Sequence, residues 1–70
     1  MMAVVKKSCM FQYGKYNKAH IALNVRQKWR VVREPATHLP WYTLSRGGVV
    51  IDVLPEDFER FFEVEDENHL

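Results

Sequence analysis

Seventy residues, 47% apolar and 13% aromatic, make one small domain with enough apolar material for a core and too little length for a large one. No run approaches the 18 or so apolar residues of a membrane-spanning helix, and Met1-Met2-Ala3-Val4-Val5 is too short for a secretion signal. The single cysteine, Cys9, excludes an internal disulfide framework and suits a reducing compartment, so the expected location is cytoplasmic.

The net charge of +1 hides a sharp division. Residues 1–33 carry eight cations and no acid, whereas residues 34–70 carry nine acids against Arg46 and Arg60. The two halves either set up a polar field across the molecule or pair with one another in the fold.

In chain order Val4-Val5 and Cys9-Met10-Phe11 read as one or two short strands. A turn-rich patch, Tyr13-Gly14-Lys15-Tyr16-Asn17-Lys18, follows. From Ile21 to Val32 apolar residues alternate with polar ones, first Ile21, Leu23 and Val25, then Trp29 and Val31, which predicts a half-buried strand. Glu34 to Pro40 holds two prolines and reads as an extended loop. Trp41-Tyr42-Thr43-Leu44 and Val49 to Leu54 flank Gly47-Gly48 as a hairpin, because tight hairpin turns demand positive φ. Pro55 to Phe62 is the helical candidate: proline suits the first helical position, and Glu56 and Asp57 complement the helix dipole. A helix of two turns at most must be pinned by packing, here of Phe58, Phe61 and Phe62. Residues 66–70 form an acidic tail expected to fray. The class is all-β, in a single domain spanning 1–70.

The order of these elements resembles the Src-homology-3 domain. Cys9-Met10-Phe11-Gln12-Tyr13 sits where that family has Ala-Leu-Tyr-Asp-Tyr. Ile21 to Val32 lies without gaps on its Leu-Ser-Phe-Lys-Lys-Gly-Glu-x-Leu-x-Ile-Val. Trp41-Tyr42 falls on its paired aromatics, and Leu54-Pro55-Glu56-Asp57-Phe58 on its Ile-Pro-x-Asn-Tyr. The resemblance implies a five-stranded barrel with a short 3₁₀ or helical turn at about 55–60, closed by a strand near Phe62-Glu63-Val64. Arg26 and Asp52 stand where the family has glycines, and Lys15 and Lys18 where it has acids.

The family binds proline-rich peptides between aromatic ridges, beside an acidic pocket. Carried onto this chain, the partner-binding residues are Phe11, Tyr13, Trp41, Tyr42, Pro55 and Phe58, with Glu34 and Asp57 the acids that could supply part of the pocket. Phe11 and Phe58 are equally well read as core. The cations Lys15 and Lys18 suggest an acidic partner segment at the first excursion. The function expected is therefore a non-catalytic protein-interaction module, an adaptor, inhibitor or accessory subunit. A chain that starts at its own Met favours a small stand-alone protein, viral or bacterial.

The alternative class is a nucleic-acid-binding barrel. Lys28, Arg30 and Arg33 alternate with Trp29 and Val31, so one strand face could follow phosphates, provided the acidic third lies on the opposite face. No catalytic, metal or cofactor site is expected: His20, His38 and His69 lack ligand spacing, and Gly47-Gly48 is hairpin chemistry rather than a phosphate cradle.

Overall fold

A computed structural model describes residues 1–13 and 19–65 of the chain. The side chains of Tyr13 and Ala19 lie outside the described part, as do residues 14–18 of the sequence-predicted turn patch Tyr13–Lys18 and the tail at 66–70. Seven strands and one helix follow in order: β1 (Met2–Val5), β2 (Cys9–Tyr13), β3 (Ala19–Leu23), β4 (Lys28–Arg33), β5 (Tyr42–Arg46), β6 (Val49–Val53), α1 (Pro55–Phe61) and β7 (Phe62–Glu65). The fold is all-β with one short helix.

Five strands form an antiparallel sheet in the order β6-β5-β4-β1-β7, and β2 pairs with β3 as a separate hairpin. Among the described residues no pairing joins β6 to β7, so the sheet has two edges and is not closed into a barrel. The core fills the space between sheet and hairpin. Period-two alternation supplies it from every side: Ala3 and Val5 from β1, Trp29 from β4, Leu44 from β5, Ile51 and Val53 from β6. Leu23 enters from the hairpin, and Cys9, Phe11 and Ile21 pack against the same cluster. The buried indole N–H of Trp29 donates to Gln27 Oε1 at 3.1 Å, so this large core residue carries no unsatisfied donor.

Two local structures depart from the sequence-based expectation. The alternating run Ile21–Val32 is not one strand; it breaks between β3 and β4. The Gln27 N–H donates to the Asn24 carbonyl at 3.0 Å, closing a turn in which Arg26 takes φ 75°. The turn is then tied to β1, with Arg26 N–H donating to the Val5 carbonyl at 2.7 Å and Val5 N–H to the Gln27 carbonyl at 2.9 Å. β1 and β2 are separate strands, one of the two readings the sequence left open; against the family alignment, which set Cys9–Tyr13 on the first barrel strand, it is Met2–Val5 that lies between β4 and β7. Cys9–Tyr13 begins the outlying hairpin instead.

The hairpin of β5 and β6 turns through Gly47 (φ 54°) and Gly48 (φ 83°). Positive φ at both central residues is the turn whose twist matches the flanking strands, and glycine adopts it without a Cβ clash. The proline-bracketed loop between β4 and β5 is drawn in by a small antiparallel bridge, Ala36 to Leu39.

Helix α1 has seven residues and no side-chain cap; Pro55 at its first turn, Glu56 and Asp57 beside it, and Arg60 in the last turn suit the helix dipole. Its end passes directly into β7, the Phe62 N–H still donating to the Phe58 carbonyl. Lys6 N–H donates to the Phe61 carbonyl at 2.8 Å, which fastens this junction to the end of β1.

Candidate functional site

The aromatic side chains predicted to form one ridge divide between core and surface. Phe58 is buried, 6% exposed, with its ring stacked on Tyr42 at 3.8 Å between centroids and 13° between planes. On its other side Phe62 lies at 5.4 Å and 12°. Three rings from β5, α1 and β7 thus form one stack that pins the short helix to the sheet. Tyr42 is half-buried and Pro55 exposed. Trp41 is half-buried at the mouth of β5, and Phe11 is half-buried from the hairpin side, packed against the core. The Tyr13 side chain, Lys15 and Lys18 lie outside the described residues.

Along the edge of that stack runs an open cleft of about 430 Å³. Its apolar surface comes from Tyr42, Phe58 and Phe62, with Pro55 and Val64 beside them. Its charged rim carries Lys6, Glu59 and Glu63. Of the six residues carried over from the family resemblance, Tyr42, Pro55 and Phe58 line it; Phe11 and Trp41 do not. Sequence reasoning did not find Lys6, Glu59, Phe62, Glu63 or Val64 as site residues. The alternation of Phe62 and Val64 immediately after the helix was the available signal, since it places both on one side of the closing strand. Glu34, on the exposed loop, and Asp57, half-buried in α1, do not line the cleft.

Cys9 is half-buried on β2. Burial pushes its thiol pKa up, the negative charge of Asp57 pushes in the same direction, and Lys7 opposes them. A thiol held protonated in this way is a poor nucleophile. Among the described residues no group of three or more His, Cys, Asp or Glu side chains is placed to hold a metal ion, and no helix is long and apolar enough to cross a membrane.

The cations of β4 occupy a different surface. Trp29 and Val31 face the core, and Lys28 and Arg30 project from the opposite, outer side of the sheet. Strand register shows what surrounds them. Val4 is the cross-strand partner of both Lys28 and Glu63, and Met2 of both Arg30 and Glu65. Cross-strand partners project to the same side of a sheet, so the acids of β7 share the outer face with the cations of β4. Lys28 Nζ reaches across β1 to Glu65 Oε1 at 3.0 Å. Arg33, beyond a bulge, pairs across strands with Thr43, whose buried hydroxyl donates to Asp52 Oδ1 at 3.1 Å. The condition set for a phosphate-binding face, acids on the far side, is not met.

No protein-family model, no curated protein and no solved structure matches the chain.

Proposed function

We propose that the chain is a non-catalytic interaction module, and that it binds a short extended partner segment in the cleft between β5, α1 and β7. The observation that carries this reading is the cleft itself: half-buried Tyr42 with exposed Pro55 and Val64 over the buried rings of Phe58 and Phe62, and charges at the rim. Such a surface offers an apolar floor already fixed by packing, with polar groups left to orient the ligand.

The resemblance to the Src-homology-3 domain is retained as a proposal about ancestry of the fold. It is supported by the order β6-β5-β4-β1-β7 with the outlying hairpin inserted between β1 and β4. It is also supported by Arg26, which takes positive φ where that family has glycine, and by Leu54-Pro55, which leads from a strand into a helix anchored by Phe58. The correspondence of the first strand shifts: Met2–Val5 occupies the sheet, and Cys9–Tyr13 belongs to the excursion.

The described rim carries two acids against one lysine, so the favoured ligand is a proline-containing segment bearing a basic residue. Proline in the extended left-handed conformation brings little ordering cost to such a surface. Backbone amide NMR of the labelled full chain, titrated with two proline-rich peptides that differ only in Arg against Glu, tests the proposal. The Arg peptide is expected to shift the amides of Tyr42, Glu59 and Val64. Glu59→Lys is expected to weaken it by roughly tenfold, the scale of a charge pair turned from attraction to repulsion. Absence of shifts with both peptides, or a preference for the Glu peptide, would count against it.

A further inference from the structure

The outer face of the five-stranded sheet, away from the core, carries a patterned surface that shares only Glu63 with the cleft. At its centre lies β1, presenting Met2 and Val4, both only half-buried although they point away from the core. On one side β4 presents Lys28 and Arg30; on the other β7 presents Glu63 and Glu65. The two rows therefore read cation, apolar, anion: Lys28–Val4–Glu63 and Arg30–Met2–Glu65.

This pattern is complementary to itself. A two-fold axis along β1, in the plane of contact, stacks two copies of the sheet face to face and exchanges left for right. Met2 and Val4 then meet their own counterparts, while the β4 cations of each copy meet the β7 acids of the other. An axis across the strands would instead set cations on cations and acids on acids, so the charges select one arrangement. Facing antiparallel sheets pack with nearly aligned strands about 10 Å apart, which leaves room for the apolar side chains in the middle and the longer charged ones outside. The Lys28–Glu65 ion pair within one copy is no obstacle. Its two side chains are 56% and 46% exposed, and such a pair is weak enough to change partners.

We infer that the outer sheet face is a docking surface for a second copy of this chain, forming a two-fold dimer in which Arg30 of each copy meets Glu65 of the other. The inference stands apart from the peptide cleft, since neither Arg30 nor Glu65 lines it.

Sedimentation equilibrium of the full chain from micromolar to millimolar concentration tests it. A reversible dimer weakened by salt is expected. Arg30→Glu and Glu65→Arg each place like charges at two symmetric contacts and are expected to weaken the dimer roughly tenfold or more. An equimolar mixture of the two variants restores opposite charges at both contacts and is expected to dimerise about as well as the original chain. A thermal melt of each variant by circular dichroism checks that it folds, which is expected because both positions are exposed. A chain that stays monomeric throughout, a dimer indifferent to both substitutions, or a mixture no tighter than either variant alone would overturn the inference.

Discussion

Arg26 shows how a single residue can resist its own backbone. An L-residue at φ 75° sits in the left-handed region, where its Cβ crowds the neighbouring peptide; asparagine and glycine are the residues that go there readily. The turn holds Arg26 there because it is tied on both sides to Val5. Glycine would relieve the strain and lose some stability through its freer unfolded chain, with a net gain of about 0.5–1 kcal/mol. Arg26→Gly is therefore expected to raise the midpoint of urea unfolding with the slope unchanged. A lowered midpoint would mean that the arginine side chain stabilises the turn in some other way. Asp52 is the counterpart case: it too stands at a glycine of the resembled family, but it accepts the Thr43 hydroxyl and so satisfies a buried donor.

At the scale of elements, most of the fold was legible because its signals are local. Gly47-Gly48 demanded a two-residue turn, and the alternation on either side set the faces of β5 and β6. Pro55 with the acids behind it marked the helix start. What misled was parity. Ile21, Leu23, Trp29 and Val31 all occupy odd positions and pack in or against the core, so inward parity is the same on both sides of the turn, whereas Val25 within it, also at an odd position, is exposed. Parity alone does not register such a break; the polar run Arg26-Gln27-Lys28 and the family glycine that Arg26 replaces were the available signals, and Arg26 takes the positive φ there. The site was half legible for a related reason. Tyr42, Pro55 and Phe58 were implied by the family resemblance, through Trp41-Tyr42 and Leu54-Pro55-Glu56-Asp57-Phe58, whereas Lys6 joins the cleft because β1 pairs with β7, and strand neighbours are set by the sheet. Phe58 carries the clearest consequence. Its ring lies between those of Tyr42 and Phe62 and holds a seven-residue helix without a cap. Phe58→Ala is expected to cost about 3–5 kcal/mol, enough to unfold a small domain in large part. Phe61→Ala, at a half-buried position with Arg60 at 5.9 Å over the ring, is expected to cost distinctly less. Equal losses in a denaturant series would show that the stack is not what anchors the helix.

The whole molecule resolves the division of charge in the sequence. Eight cations precede residue 34 and nine acids follow it, but antiparallel pairing interleaves the two ends of the chain. Strand β1 lies between β4 and β7, so the basic strand and an acidic one are separated by a single strand width and share one face. Phosphate binding by that face would require counterion release without offsetting repulsion; Glu63 and Glu65 supply the repulsion within reach of Lys28 and Arg30. The full chain is therefore expected to show no affinity for a short single-stranded oligonucleotide at physiological salt in a fluorescence anisotropy titration. Removing the acids should uncover what they mask. The double variant Glu63→Gln, Glu65→Gln leaves Lys28, Arg30 and Arg33 in place and is expected to bind the same oligonucleotide measurably at low salt. Its affinity should fall with a slope of roughly one phosphate contact per exposed cation. Tight binding by the unaltered chain, with a steep salt slope abolished by Arg30→Gln, would reverse the assignment: the outer face would then read nucleic acid despite its acids.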